Sequence, residues 1–434
     1  MKQAKWMLAA LLLGSMTTAC SSSEEAVEKD GEKKYVNMYT EVKPVKLTAE
    51  QQVFANDNNG FTLNFFQSLN GKMKNRSIVC SPLSITYVLS MVNDGATGTT
   101  EQELEQSLGF HKGGIQAVND YCKNLIDNLP HVDEKVQLNI ANAIFVNDKY
   151  QLKKLFQQDM ANYYDAKAEA LDFSSPLTLD RINGWCDEKT RGMIPNILEQ
   201  VDPRTVSYLL NAIYFKADWA SMFEKNETRE EVFTTPDGET RVPLMHQNVY
   251  MNYLRNDTYA AVSIPYGNGR WMMTVMLPEE GKTTDDVISS LAASGWSTDF
   301  LKNPLREARG YEVDLKLPRF ETAFDTDDAG GLIELLKGMG IRQVFDKYNA
   351  EVPNVCEKEN LYVDMMKQKA KIKVNEEGSE AAAVTIAGFV ATATSTGPTQ
   401  EPPKATFHAN RPFVYIIHEK SSGVILFVGK FMGK

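Results

Sequence analysis

Histidine is the side chain that most often acts as a general base, so the five histidines of this 434-residue chain bear first on whether it is a catalyst. None of them stands in an H-E-x-x-H pattern, and the chain has no G-x-S-x-G, P-loop or G-x-G-x-x-G motif. Its carboxylates form no pair whose spacing assigns acid and base roles. The sequence therefore predicts a protein that is not an enzyme, with its histidines structural or exposed. They are His111, His131, His246, His408 and His418.

A second chemically distinct feature is a run near the C-terminus in which no charged residue occurs between Glu380 and Glu401. As a strand, this run would alternate between two faces. One face would carry Ser379, Ala381, Ala383, Thr385, Ala387 and Phe389. The other face would carry Glu380, Ala382, Val384, Ile386 and Gly388. Such a segment could enter an existing sheet and bury its uncharged face, whereas its alanines equally favour a linker or a surface helix.

The elements that would receive such a strand can be predicted from periodicity. Apolar residues at helical spacing predict helices near 61–66, 84–91 and 179–190, mostly in the first third of the chain. Alternation or short apolar runs predict strands at 138–146, 207–215, 261–265, 272–277, 311–317, 369–374, 413–418 and 424–428. No repeat or Pro/Gly/Ser-rich break interrupts residues 50–434. The predicted class is therefore α+β, in one domain with large, mainly antiparallel sheets.

The N-terminus carries an export signature. Two lysines precede an apolar run at 6–13 that is too short to span a bilayer, which predicts a signal peptide over residues 1–19. Cys20 resembles the lipidated cysteine of bacterial lipoproteins, although Thr17 stands where leucine is usual, and the acidic residues after it resemble the surface-export signal of Bacteroidetes lipoproteins. Residues 20–48 are predicted to be a flexible tether, and residues 49–434 the folded domain. We expect an outer-membrane or cell-surface lipoprotein that faces the extracellular space or the periplasm.

Composition excludes several classes of partner. The net charge is −11 without a basic run, which argues against nucleic acid and leaves the lipid anchor as the expected contact with a membrane. The four cysteines beyond Cys20 have no C-x-x-C spacing, so a zinc site is not expected. The sequence does not rank their three possible full pairings, and we predict mostly free, buried thiols. No cofactor motif is present, and a monomer is expected.

Several blocks, in order, resemble the serpin family and together cover nearly all of residues 50–434. They are 77–85, 95–104, 182–185, 210–216 with Trp219 and Phe223, 410–413 and 427–430. The resemblance implies a serpin fold of about nine helices and three mainly antiparallel sheets with an exposed reactive-centre loop. It also implies a metastable inhibitor whose loop, once attacked by a target protease, inserts as a new central strand and traps the acyl-enzyme.

The resemblance assigns roles to two sets of residues. The hinge of the reactive loop would be Glu376, Glu377, Gly378, Ser379, Glu380, Ala381, Ala382, Ala383 and Thr385. The residues around the opening of the sheet would be Trp219, Arg319, Ser81, Ser84, Asn211 and Gln368. Glu376 should pair with Arg319, where the family more often has lysine. Gln368 stands where many serpins have a histidine that forms a hydrogen bond beneath the sheet, and its amide could replace that bond.

Family spacing counted from Glu376 places the reactive bond at Thr392-Ala393. Because the following segment is long, the cleaved bond could instead follow Phe389, Val390, Ala391 or Thr394. No lysine or arginine lies between Lys373 and Lys404, which excludes trypsin-like targets and favours elastase-like proteases. Chymotrypsin-like cleavage after Phe389 and papain-like cysteine proteases are the alternative targets. A non-inhibitory binding or scaffold lipoprotein on the same fold is the alternative function.

Overall fold

The computed structural model describes residues 43–293, 310–357, 361–379 and 402–433. The predicted signal peptide, the lipidation site, residues 20–42 of the predicted tether and most of the predicted reactive loop therefore lie outside the described residues. The individual residues concerned are Cys20, Glu380, Ala381, Ala382, Ala383, Thr385, Phe389, Val390, Ala391, Thr392, Ala393 and Thr394. Residues 43–48 of the tether are described, and Val45 among them is buried.

Eight α-helices lie in the described part of the chain, close to the nine expected. They are α1 Ala49–Lys72, α2 Pro82–Gly95, α3 Gly98–Leu108, α4 Gly114–Asn128, α5 Lys154–Tyr164, α6 Leu177–Lys189, α7 Thr284–Ala293 and α8 Leu332–Gly338. The first helix begins at a capping box, in which Thr48 and Gln51 satisfy each other's backbone amides. Proline at the first position of α2 needs no amide partner there, so the helix can start directly after Ser81.

The same described residues contain fifteen strands. They are β1 Ile78–Cys80, β2 Gln137–Asn147, β3 Lys167–Leu171, β4 Ser207–Asp218, β5 Arg229–Thr235, β6 Gly238–Arg255, β7 Tyr259–Pro265, β8 Trp271–Pro278, β9 Gly310–Pro318, β10 Phe320–Asp325, β11 Met365–Val374, β12 Gly378–Ser379, β13 Lys404–His408, β14 Phe413–Glu419 and β15 Ile425–Phe431. Each strand predicted from alternation is present, and most are longer than predicted.

The strands form two hydrogen-bonded sheets rather than the three expected, because β6 is shared. Residues 238–252 of this 18-residue strand pair with β5 and β9, and residues 253–255 pair with β7. Two of the expected sheets are therefore continuous in the order β1-β15-β14-β8-β7-β6-β9-β13, with β5 on β6. The other sheet has the order β10-β11-β12-β4-β2-β3. Most pairings are antiparallel, as predicted.

Both faces of the six-stranded sheet are covered around its centre. On β4, Leu209 and Ile213 pack into the main core, whereas Leu210 and Ala212 face the helix α6. The indole of Trp185 on that helix meets Phe145 of β2 edge to face, with ring centroids 5.8 Å apart. A strand entering this sheet would therefore need one side chain in two to fit the main core.

Candidate functional site

The central feature of the six-stranded sheet is a pair of parallel strands that are joined at one end and separated at the other. Residues 208–211 of β4 pair directly with residues 365–368 of β11, and we call this paired region the seam. At the opposite end, β12 lies between the same two strands and is antiparallel to both, with Gly378 beside Asp218 and Ser379 beside Ala217 and Val374. The hinge thus already begins a strand inside the sheet.

Between the seam and β12, each strand has a stretch to whose inner edge no strand of the described residues is paired. On β4 this stretch is 212–216, and on β11 it is 369–373. We call it the gap, and within the described residues no strand occupies it. Backbone amides and carbonyls along such edges are satisfied best by another strand. The gap has the length of five further residues of the chain.

Gly378 is required at the point where the hinge enters the sheet. A Cβ atom built on this residue would lie 2.0 Å from the carbonyl oxygen of Ala217, a distance that no side chain can adopt. The hinge backbone can therefore approach β4 closely because this residue has no side chain.

Glu376 fixes the start of the hinge, next to β12. Its side chain is buried, and its carboxylate accepts hydrogen bonds from both the Arg319 guanidinium and the Thr228 hydroxyl, the latter at 2.7 Å. Burial would raise the pKa of Glu376, but these two donors outweigh it and hold the pKa below its ordinary value. The pairing with Arg319 was expected, whereas Thr228 was not predicted.

Aromatic residues hold the next part of the hinge. Trp219 donates from its indole nitrogen to the carbonyl of Asn375 at 2.9 Å, and from its backbone amide to the carbonyl of Glu377 at 2.7 Å. Its ring stacks on Tyr266, with the centroids 4.3 Å apart. The Tyr266 hydroxyl in turn shares a 2.6 Å hydrogen bond with the hydroxyl of Ser379. Tyr266 was missed by the sequence analysis, because nothing in its local pattern distinguishes it from other turn residues.

Comparison with known proteins decides the family. A family model described as Serpin (serine protease inhibitor) matches residues 56–433. The chain is 31% identical to an uncharacterised serpin-like protein of Thermococcus kodakarensis, over 88% of this chain and 86% of that protein. It is 32% identical to serine protease inhibitor 42Dd of Drosophila melanogaster, over 84% of this chain and 93% of that protein. The chain belongs to the serpin family.

A solved structure agrees with this assignment. The native-state structure of tengpin, a thermophilic serpin, matches with a TM-score of 0.75 at 27% identity, over 91% of this chain and 96% of tengpin. Serpins are protease inhibitors rather than catalytic enzymes, although non-inhibitory members exist. The membership also confirms the fold expected from the sequence.

The residues expected beneath the sheet of this serpin lie together, and the Gln368 amide forms hydrogen bonds there, as the resemblance implied it could. The Gln368 amide pairs with the backbone of Ser81, donating to its carbonyl at 2.8 Å and accepting from its amide at 3.2 Å. The Ser84 hydroxyl donates to the Ser81 hydroxyl at 3.0 Å. Asn211 instead donates to Asn142 at 2.7 Å. Gln368 thus ties β11 to the start of α2, and Asn142 completes the set of polar residues.

Four of the cysteines and His418, which are other side chains that could do chemistry, are buried in the protein. All four cysteines from Cys80 onward are free and buried, as predicted, and burial raises the pKa of the Cys122 thiol to about 12. His418 is fully buried, which lowers its pKa to about 3, and its Nε2 lies 3.1 Å from the Thr274 hydroxyl. Within the described ranges, no cluster of histidine, cysteine and carboxylate side chains could hold a metal ion. Among those same residues, no helix is long and apolar enough to cross a membrane.

Asp314 on β9 lies between two histidines, His246 on β6 and His408 on β13, the strand that follows the predicted reactive loop. Its carboxylate oxygens lie 2.9 Å from Nε2 of His246 on β6 and 2.9 Å from Nε2 of His408 on β13. Burial raises the pKa of Asp314, but the hydrogen bonds from His408 and His246 outweigh burial and hold the pKa below its ordinary 3.8. The strand β13 is therefore tied to β9 by a side-chain contact as well as by its backbone.

We expect Asp314→Asn to destabilise the protein in a pH-dependent way. Because the folded-state pKa of Asp314 is lowered, the contribution of its carboxylate is fully present above about pH 4 and is lost as the pH falls through the folded-state value. The side chain is 40% exposed, so the effect on the free energy of unfolding should stay below about 1 kcal/mol. Urea unfolding of the wild-type protein and of Asp314→Asn between about pH 3 and pH 5 measures the difference in their free energies of unfolding. An equal difference at both ends of the range would contradict the expected pH dependence.

Proposed function

We propose that this serpin inhibits proteases by inserting its cleaved reactive loop between β4 and β11. The observation that carries the proposal is β12, in which Gly378 and Ser379 already lie between these parallel strands in antiparallel register with both. An antiparallel strand can continue along both edges without any change of direction. The gap and then the seam lie directly ahead of it.

The register defines what each inserted residue would meet. Continued from Ser379, it would place residues 380–384 in the gap and residues 385–388 between the two strands of the seam. Because Ser379 is buried toward Tyr266, every second residue after it would face the main core. These residues are Ala381, Ala383, Thr385, Ala387 and Phe389. All are uncharged, as burial requires, since a buried unpaired charge costs several kcal/mol.

Trapping follows from the competition between insertion and hydrolysis. The protease serine attacks the reactive bond, the carbonyl carbon becomes an ester of that serine, and the new amine departs with the C-terminal segment. Insertion then carries the attached protease along the sheet before water can hydrolyse the ester. Roughly ten residues gain ladder hydrogen bonds worth about 1 kcal/mol each, so the driving force is on the order of 10 kcal/mol.

Glu380, the one charged residue of the inserting segment, would lie beside two lysines on the face opposite the main core. The register would place Glu380 directly between Lys216 of β4 and Lys373 of β11, neither of which is buried. Opposite charges on neighbouring strands stabilise a sheet by roughly 0.2–1 kcal/mol. These lysines therefore favour the first step of insertion.

Accordingly, Lys373→Glu should slow insertion about two- to five-fold, because it replaces attraction of Glu380 with repulsion near the surface. The rate can be followed as the change in tryptophan fluorescence after loop cleavage, together with the number of inhibitor molecules consumed per protease trapped. The double variant Lys373→Glu with Glu380→Lys should recover part of the loss. An unchanged rate in the single variant would show that the register is wrong.

The proposed targets are elastase-like serine proteases, with the reactive bond at Thr392-Ala393. Small, uncharged residues on both sides of this bond and the absence of lysine and arginine from 374–403 support this choice. The test mixes the mature protein with an elastase, a chymotrypsin, a trypsin and a papain-like enzyme. We expect a denaturant-resistant complex with elastase and a cut after Thr392 by mass spectrometry. Clean cleavage by every protease without a complex would overturn inhibition and favour the binding role.

We also propose that the protein is exported and anchored by a lipid on Cys20, which rests on the N-terminal pattern alone. Metabolic labelling with a fatty acid should mark the wild-type chain. The variant Cys20→Ala should lose the label and leave the membrane fraction. A label that persists in this variant would overturn the assignment.

A further inference from the structure

Asp364 links β11 to β4 at the end of the seam farthest from β12, which we call the lower end. It directly precedes β11, and its carboxylate accepts hydrogen bonds from two successive amides at the start of β4. Oδ2 accepts from Val206 at 3.0 Å, and Oδ1 accepts from Ser207 at 3.3 Å. Both oxygens of the side chain are therefore committed to the strand on the opposite side of the seam.

The surroundings of this carboxylate leave it dependent on those two donors. Burial raises the pKa of Asp364, the nearby Asp202 carboxylate raises it further, and the two backbone amides act in the opposite direction. A partly buried carboxylate that loses such donors without regaining water is disfavoured. The two bonds thus stabilise the arrangement in which β4 and β11 are adjacent.

Insertion must separate β11 from β4 rather than from β10. The strands β10 and β11 share six residue pairs, and Lys367 of β11 forms a 3.0 Å ion pair with Asp325 of β10. Across the seam, β11 and β4 share four residue pairs and the two bonds of Asp364. A strand between them would move them from about 4.8 Å to nearly 10 Å apart. The carboxylate could then no longer reach Val206 and Ser207.

We infer that Asp364 is a positioning residue that holds the lower end of the seam closed and so limits the last stage of loop insertion. The inference rests on the proposed function and deepens it, because the residue acts only in the uninserted form. Removing its carboxylate should destabilise the intact protein selectively. It should also speed the final part of insertion, so that fewer inhibitor molecules are cleaved for each protease trapped.

The test compares thermal unfolding of intact and loop-cleaved protein, with the cut near residue 392 made by a protease that forms no complex. Asp364→Asn keeps the size of the side chain but replaces one accepting oxygen by an NH2 group, which cannot accept a hydrogen bond from a backbone amide. Asp364→Ser serves as a second variant. We expect the Tm of the intact form to fall by about 2–4 °C and that of the cleaved form to be unchanged. The matched control is Glu103→Gln, since Glu103 accepts from the successive amides of Arg342 and Gln343 away from the seam.

The control variant should shift both forms equally. Equal shifts in both forms for the Asp364 variants, or no shift in either, would overturn the inference while leaving loop insertion intact. If cleavage fails to raise the Tm of the wild-type protein, loop insertion itself is wrong and the inference falls with it. The two failures are therefore distinguishable within one set of measurements.

Discussion

Replacing Ala383 by glutamate is expected to convert this serpin from an inhibitor into a substrate. The continued register would place residue 383 between Ile213 and Ala370, both of which are buried toward the main core. Burial of an unpaired carboxylate there costs at least about 3 kcal/mol, which would slow insertion about 100-fold. Hydrolysis of the acyl-enzyme would then win, and the protease would be released with a cleaved inhibitor.

The measurement is the fraction of protease held in a denaturant-resistant complex as the inhibitor concentration is raised. A neighbouring substitution, Ala382→Glu, provides the matched control. It adds the same charge one residue earlier, on the opposite face, beside the partly exposed Lys371. We expect this control to keep most of its complex. If both variants trap protease as well as the wild-type protein does, the loop does not enter this sheet.

Cleavage of the loop should raise the Tm of the wild-type protein by about 20 °C. The inserted strand fills the gap and separates the seam, so edges of β4 and β11 that lack a partner within the described residues gain one. A driving force on the order of 10 kcal/mol corresponds to about 2 °C for each kcal/mol in a domain of this size. Differential scanning calorimetry of intact and cleaved protein measures the change directly.

The cleaved Ala383→Glu variant is the natural control for that experiment, because its loop is cut but should not insert. Its Tm should remain close to that of the intact protein. A wild-type Tm that does not rise after cleavage would be incompatible with insertion. Such a result would favour a non-inhibitory role for this serpin.

Local sequence patterns predicted the strands of the central sheet well. Alternation of side chains is a property of neighbouring residues, so 138–146 and 207–215 were recognisable as strands without knowledge of their partners. The sequence also shows a glycine at position 378 and no charged residue at 381–400, whereas the reason that glycine is required is its approach to Ala217 in the folded chain. The family resemblance added the pair of Glu376 and Arg319, which the structure confirms.

The contacts that hold the hinge were decided by tertiary structure. Tyr266, Thr228 and Asp364 lie far along the chain from the residues they contact, and their neighbours in sequence give no sign of these roles. The parallel alignment of β4 with β11 brings Asp364 to its partners, and the packing of distant segments against the hinge brings Tyr266 and Thr228 to theirs. Amino-acid alternation fixes which face a side chain occupies, whereas the partner it meets depends on how strands from distant parts of the chain align.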